Sequence, residues 1–126
     1  PSLIKSIREK ETPRINTPLN KNDFIYVEDV ARAFATAVDA DLPSGVYNLG
    51  SGTSTSVYDI CRIVEKQFMG NGLISKEVLE NGQPRGTVNF WADMEKTERA
   101  LIISRNTSLE EGIEQHIQSM KYDVIT

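Results

Sequence analysis

Two glycines, Gly50 and Gly52, occupy a setting that is typical of phosphate-binding turns. They follow a short apolar run at residues 46–49 and precede a segment, residues 57–68, with helical periodicity. A glycine turn between a strand and a helix can present backbone N–H groups to an anion. The turn and the Ser and Thr residues after it are, however, neither a P-loop nor a complete dinucleotide fingerprint. We therefore favour a plain tight turn, and phosphate binding stays open as the alternative.

The other reactive side chains do not combine into a catalytic constellation. The chain has a single His, His116, and a single Cys, Cys61. Both lie on the apolar side of predicted helices, so we interpret His116 as a packed structural residue and Cys61 as a buried, inert thiol. One cysteine excludes an intrachain disulfide and a metal site made only of cysteines. Because no nucleophile can be paired with a base, no catalytic residue and no metal ligand is predicted.

The glycine turn ends the segment around which the chain is organised, residues 23–52. Residues 24–27 and 46–49 are short apolar runs rich in residues that favour buried strands. Between them, residues 30–40 are rich in alanine and place apolar side chains at helical spacing. Strand, helix and strand in this order predict a right-handed βαβ unit with two parallel strands.

Most of the remaining chain has helical patterns. Helices are predicted over residues 2–10, 57–68, 94–102 and 109–120. Ser56 and Ser108 have the spacing of capping boxes, and we interpret Asp29 and Asp93 as helix caps as well. Strands are predicted over residues 73–79 and 87–92. The order of the elements predicts an α/β chain, with the βαβ unit followed by a small helix-rich α/β lobe.

Composition limits the class of protein. The chain has 126 residues, of which 39% are hydrophobic and 25% charged, as in an ordinary globular domain. A net charge of -4 argues against a nucleic-acid binder or a binder of anionic membranes, since both need a clustered basic surface. Neither a signal sequence nor an apolar run near the roughly 20 residues of a membrane span is found, so we expect a cytoplasmic protein.

Five sequence blocks together resemble the C-terminal portion of extended short-chain dehydrogenases, in the nucleotide-sugar epimerase and dehydratase family. They are NDFIYVEDVARA (22–33), GVYNLGSG (45–52), PRG (84–86), FWAD with Lys96 (90–96) and SLEEGIEQHI (108–117). The resemblance implies a protein that binds NAD or NADP on an N-terminal Rossmann domain and acts on a nucleoside-diphosphate sugar. The family's glycine fingerprint and its catalytic Tyr and Lys belong to that N-terminal domain and have no counterpart here.

The resemblance also implies four substrate-binding residues. Arg85 resembles an arginine that binds the diphosphate, a role that suits its planar fork of donors, although a solvated loop arginine is an equal alternative. Asn22 stands where the family usually has another diphosphate arginine, and Thr87 stands where many relatives hold the ribose with Asp. Phe24 matches an aromatic position that can line the pocket, and a plain core aromatic is the alternative.

Two functional hypotheses follow. In the first, residues 1–126 are a single substrate-binding portion of an extended Rossmann-type enzyme and are not catalytic alone, and the cofactor is bound mainly by the absent N-terminal domain. In the second, the chain is a non-catalytic binding or oligomerisation module on the same scaffold. Because strands 24–27 and 46–49 would have open edges and apolar faces, a homodimer is expected.

Overall fold

The computed structural model describes residues 2–83, 85, 88–101 and 107–123, with side chains as far as Met120. This part of the chain contains six helices and one two-stranded sheet. In chain order they are α1 (Ser2–Arg8), β1 (Lys21–Asn22), α2 (Val27–Asp39), β2 (Thr55–Ser56), α3 (Val57–Gln67), α4 (Leu73–Asn81), α5 (Glu95–Ala100) and α6 (Leu109–Asp123). Strands β1 and β2 pair antiparallel. None of the helices in the described ranges is long and apolar enough to cross a bilayer.

The core is built around α3, whose inward side chains are almost inaccessible to water. Cys61 and Val64 are 0% and 1% exposed. They pack with buried apolar residues of three neighbouring helices, which are Ile4 and Ile7 of α1, Val78 of α4 and Ile117 of α6. Burying a side chain of this kind stabilises a fold by roughly 1.5–3 kcal/mol. The position predicted for Cys61 is confirmed, and burial, with a smaller contribution from the charge of Glu65, raises the pKa of its thiol to about 11.

Helix α4 shows that the predicted strand over residues 73–79 is wrong. Its first turn is capped by Glu65, which lies near the end of α3 and is only 2% exposed. The Glu65 carboxylate accepts hydrogen bonds from the N–H groups of Gly72 (3.1 Å), Ile74 (3.0 Å) and Ser75 (3.0 Å), and from the Ser75 hydroxyl (2.5 Å). A negative charge beside the free N–H groups of a helix start stabilises the helix. The cap comes from the preceding helix, so the pattern within residues 73–79 does not reveal it.

The predicted βαβ unit is correct in its helix and wrong in its two strands. Residues 24–26 and 46–49 belong to no sheet within the described chain, and α2 begins earlier than predicted, at Val27. The backbone at Tyr26 is extended, with φ −73° and ψ 137°. An extended segment becomes a strand only when a neighbouring strand receives its backbone hydrogen bonds. Neither segment makes such a ladder with another described residue.

The predicted strand over residues 87–92 is also wrong for the part that is described. Within residues 88–92, only Asn89 makes a bridge, a parallel one to Lys21. Phe90 and Trp91 are each 55% exposed. These apolar residues are of the types that favour strands, as predicted. No layer of the described chain covers them, however, and a buried strand needs such a layer.

The other helices are confirmed within a few residues of their predicted ends. Ser56 Oγ accepts from the Asp59 N–H at 3.0 Å, and Ser108 Oγ accepts from the Glu111 N–H at 3.2 Å, as capping serines do. Asp93 accepts from the N–H of Glu95 at 3.1 Å, but it lies one position before the N-cap of α5, which is Met94 and makes no side-chain capping bond. The caps of α3 and α6 were readable from local spacing, because each serine lies three residues from its donor.

Asp29 does not cap α2 either. It lies inside the first turn of that helix and is 4% exposed. Its carboxylate accepts from the Thr107 N–H and from Thr107 Oγ1, both at 2.7 Å, and pairs with Arg32. Asp29 therefore joins α2 to the segment that leads into α6. Burial by itself raises the pKa of Asp29, but the hydrogen bonds from Thr107 and Arg32 bring it below the ordinary value of 3.8.

Candidate functional site

Two chain segments next to the predicted site residues lie side by side. They are residues 20–24, with Asn22 and Phe24, and residues 88–92, which follow Arg85 in sequence. Three hydrogen bonds join them, from Lys21 N–H to the Val88 carbonyl (2.8 Å), from Val88 N–H to Asn20 Oδ1 (3.1 Å) and from Ala92 N–H to Asp23 Oδ2 (3.0 Å). The fold therefore brings together two blocks that are far apart in sequence, because the residues joined by the three hydrogen bonds are 67 to 69 positions apart.

Asp23 forms the most extensive polar contact in this region. One carboxylate oxygen accepts from the N–H (2.9 Å) and hydroxyl (2.5 Å) of Ser51, and the other accepts from the N–H groups of Gly52 (3.1 Å) and Ala92 (3.0 Å). We call this arrangement the Asp23 clasp. Burial by itself raises the pKa of Asp23, but the four hydrogen bonds lower it by more, so its pKa lies below the ordinary value of 3.8. The carboxylate is therefore ionised at neutral pH.

The clasp forms one end of a cleft of about 490 Å³, which we call the Asp23 cleft. Its walls come from three parts of the chain, and they are Asp23 and Ile25, then Asn48, Leu49 and Gly50, and finally Phe90, Trp91, Ala92 and Asp93. Phe90 and Trp91 give the cleft an aromatic side with more than half of each side chain exposed. A cleft with aromatic and amide groups on its walls can stack against a ring and hydrogen-bond a polar ligand.

A second set of contacts fixes the wall of residues 46–49. Lys96 Nζ donates to the Val46 carbonyl at 2.8 Å and lies 4.5 Å from the centre of the Tyr47 ring. Thr97 Oγ1 donates to the Asn48 carbonyl at 2.5 Å, and Thr97 is 2% exposed. Both donors are on α5. Two of the carbonyl groups that a sheet neighbour would have used are therefore satisfied by side chains, which helps to explain why residues 46–49 do not form a strand.

The predicted site residues lie on different surfaces. Asn22 is half-buried and pairs with Thr55 in the two-stranded sheet. Phe24 is 37% exposed and faces a second, largely apolar cleft of about 570 Å³, together with His116. Arg85 is exposed and lines neither cleft. Thr87 lies outside the described residues.

The Gly50–Gly52 turn does not fit the diphosphate of a dinucleotide. Gly52 has the positive φ, +80°, that glycine tolerates in a tight turn. The N–H groups of Ser51 and Gly52, which an anion would need, already donate to Asp23. A side-chain carboxylate thus occupies the place of the anion, and the tight-turn interpretation accounts for both glycines. Nor does any group of three or more His, Cys, Asp or Glu side chains stand ready to hold a metal in the ranges that the structure describes.

Sequence reasoning missed Asp23 as the organiser of this region. A block reading NDFIYV shows one carboxylate before an apolar run, which by itself indicates only a chain entering a strand. The three amide donors come from positions 28, 29 and 69 residues further along the chain. The only signal in the sequence was that Asp23, Gly50 and Gly52 all lie in blocks that resemble the same family.

Structural comparison defines the class of protein first. The chain is similar to the Bordetella bronchiseptica enzyme WbmF in complex with NAD+ and UDP, with a TM-score of 0.80 and 28% identity, over 99% of this chain and 36% of WbmF. It is also similar to the UDP-glucuronic acid 4-epimerase of Bacillus cereus in complex with NAD, with a TM-score of 0.68 and 27% identity, over 90% of this chain and 34% of that enzyme. The chain thus has an α/β fold that matches part of extended, Rossmann-type short-chain dehydrogenases.

Sequence comparison then gives the family. The sequence model described as the NAD dependent epimerase/dehydratase family matches residues 1–50. The ADP-L-glycero-D-manno-heptose-6-epimerase of Fusobacterium nucleatum is 28% identical over 104 residues, which are 77% of this chain and 31% of that protein. The chain is therefore similar to the NAD-dependent epimerase/dehydratase family, by the sequence model over residues 1–50 and by its relatives over most of its length. It spans about a third of the length of these relatives, 31% to 36%.

Proposed function

We propose that this chain is the sugar-nucleotide-binding portion of an NAD-dependent or NADP-dependent nucleotide-sugar epimerase or dehydratase. In this proposal the chain holds the nucleoside diphosphate of the substrate. The reactive sugar is turned toward catalytic groups that residues 1–126 do not supply, so the chain by itself is inactive. Arg85 binds the diphosphate, and Asn22 and Phe24 contribute to the pocket from the segment that is hydrogen-bonded to Val88 and Ala92.

The single observation that carries this proposal is the joining of residues 20–24 to residues 88–92. Two blocks implied to bind the same diphosphate would have no common function if the fold kept them apart. Two hydrogen bonds instead hold Val88, three residues after Arg85, against Lys21 and Asn20, and a third joins Ala92 to Asp23. An exposed arginine on a loop held in this way is available to pair with phosphate oxygens in a bidentate manner.

The cofactor is assigned in this proposal to the rest of the protein. The Gly50–Gly52 turn offers no free amides for a pyrophosphate, because they donate to Asp23. In addition, α2 has an apolar side toward solvent, on which Val27, Phe34 and Val38 are 67%, 66% and 82% exposed. Apolar helix faces this exposed are expected to be covered by another part of a protein. The nucleotide-binding portion of the same protein is the proposed cover.

The test is calorimetric titration of the full-length protein with UDP and with ADP. We expect the wild type to bind one of them and the Arg85→Ala variant to bind it at least about tenfold more weakly, because one charge-assisted phosphate contact contributes roughly 1.5–3 kcal/mol. Arg62→Ala is the matched control, since Arg62 is an exposed arginine on α3 that pairs with Asp59 at 3.6 Å. Equal affinities of the wild type and Arg85→Ala would remove Arg85 from the site.

The second candidate is a non-catalytic binding or oligomerisation module. The observation that favours it is the same apolar side of α2, joined by Val46, which is 83% exposed. A homodimer that buries this surface would serve such a module, and a cytoplasmic location is expected for either candidate. The titration separates the two, because a module without a substrate site binds neither UDP nor ADP while remaining folded.

A further inference from the structure

We propose that Asp23 is a positioning residue for nucleoside-diphosphate recognition, and that the Asp23 clasp sets the placement of the two segments that hold the ligand. This inference rests on the proposed function and deepens it. Asp23 itself does not touch the ligand. It acts by fixing the turn at residues 50–52 and the end of the segment at residues 88–92 to the backbone beside Asn22.

The first argument is that one carboxylate joins three distant parts of the chain. Its donors are Ser51, Gly52 and Ala92, and the contacts have sequence separations of 28, 29 and 69 residues. Among the side chains that line the Asp23 cleft, only that of Asp23 bonds both to the backbone directly after the wall of residues 48–50 and to the backbone of the wall of residues 90–93. A single group that receives amides from two walls fixes their separation to the length of its own hydrogen bonds, close to 3 Å each.

The second argument is that the residues of the Asp23 clasp pack too closely against Gly50 to admit a side chain at that position. A Cβ atom built on Gly50 would lie 2.5 Å from Asp23 Oδ2 and 2.7 Å from the Ala92 Cβ. Both distances are too short for any side chain at position 50. Gly50 is therefore required because the 48–52 turn passes directly against Asp23 and Ala92. The requirement is steric, since its φ is not among the positive values of the described glycines.

The third argument concerns what the clasp places. Val88 and Ala92 follow Arg85 in sequence by three and seven positions, and Val88 is already bonded to residues 20 and 21. With Ala92 also bonded to Asp23, residues 88–92 are held at two points against the backbone beside Asn22. Misplacement of a binding group by about 1 Å can cost a factor of about 100 in recognition. A residue remote from the phosphates can thus control their affinity.

Glu65 provides an unusually close control. Like Asp23, it accepts three backbone N–H groups and one serine hydroxyl. Glu65 joins α3 to α4, however, and it neither lines the Asp23 cleft nor bonds to residues 88–92. Removing the charge of either carboxylate therefore removes the same kind of contact, but only one of them lies between the proposed binding segments.

The experiment compares Asp23→Asn with Glu65→Gln in the full-length protein. Each variant is titrated with UDP and with ADP, and its thermal unfolding is followed by circular dichroism. We expect Asp23→Asn to weaken nucleoside-diphosphate binding at least about tenfold with a native far-ultraviolet spectrum. We expect Glu65→Gln to lower the Tm while the affinity stays within about twofold of the wild type.

Two milder variants keep the test decisive if Asp23→Asn does not fold. Ser51→Ala removes one of the four hydrogen bonds to the carboxylate, and Gly50→Ala forces the turn away from Asp23 and Ala92. Both are expected to weaken binding, Gly50→Ala more strongly. Wild-type affinity in all the folded clasp variants would overturn the role of Asp23. Equal losses in Asp23→Asn and Glu65→Gln would also overturn it, since the effect would then follow stability alone.

The proposed function fails in a different way. If the wild type itself binds neither UDP nor ADP, the assignment of the site is wrong, and the clasp is left as a structural contact. If the wild type and the Glu65→Gln variant bind and the clasp variants do not, both proposals are supported.

Discussion

Replacement of Glu65 by glutamine tests the account of how α4 is formed. The Oε1 atom of Glu65 accepts from Gly72 and Ile74, and Oε2 accepts from the N–H and hydroxyl of Ser75. A glutamine can keep the first pair, but its NH₂ group then faces the Ser75 N–H, which becomes an unsatisfied buried donor because Ser75 is 1% exposed. The charge at the start of α4 is lost as well.

The size of the effect follows from these contacts. A hydrogen bond to a charged group contributes roughly 1.5–3 kcal/mol and the helix dipole roughly 0.3–1 kcal/mol, so we expect Glu65→Gln to lower the free energy of unfolding by about 2–4 kcal/mol. Urea unfolding at about pH 7, followed by circular dichroism, measures it. Glu80→Gln is the matched control on α4. Glu80 is exposed and makes a long ion pair with Lys76, at 3.8 Å. Removing its charge should therefore lower the free energy of unfolding by less than about 1 kcal/mol.

The pH dependence supplies an independent check. Burial by itself raises the pKa of Glu65, but the hydrogen bonds from Ser75, Ile74 and Gly72 lower it by more, so its folded-state pKa lies below 4.5. A carboxylate with a depressed pKa stabilises the fold fully above its unfolded value, and the contribution is lost as the pH falls through the folded value. The gap between wild type and Glu65→Gln should therefore be constant near neutral pH and narrow below 4.5. A variant within about 0.5 kcal/mol of the wild type at neutral pH would refute the capping role.

Two further predictions concern other buried groups. Asp29→Asn should lower the free energy of unfolding by about 1.5–3 kcal/mol, and its effect should add only in part to that of Thr107→Val, because both variants change the hydrogen bond between Thr107 Oγ1 and Asp29. Additive losses in a double-mutant cycle would contradict the link between α2 and the entry to α6. Cys61, whose pKa is raised to about 11, should react with iodoacetamide only slowly in the native protein and rapidly in denaturant. Native alkylation as fast as that of the unfolded chain would show that the thiol is not in the α3 core.

The sequence by itself determined the features whose causes are local. The amphipathic stripes of α1, α3 and α6 needed only helical periodicity, and the serines at 56 and 108 needed only the N–H group three residues later. The order of the five sequence blocks likewise predicted the resemblance to the NAD-dependent epimerase/dehydratase family, which the comparisons confirm. Each of these signals lies within a few residues, so no knowledge of the tertiary structure was required.

Only the tertiary structure decided the features that depend on distant partners. Residues 24–26 and 46–49 have the composition of strands, but without a neighbouring strand in the described chain they belong to no sheet. Residues 73–79 look strand-like, yet they form a helix because a buried Glu65 caps its first turn. The glycine turn at 50–52 could have received a phosphate, and the fold instead gives its amides to Asp23. A hydrogen bond between residues 28 or 69 positions apart leaves no trace in local sequence, because its geometry exists only after the chain has folded.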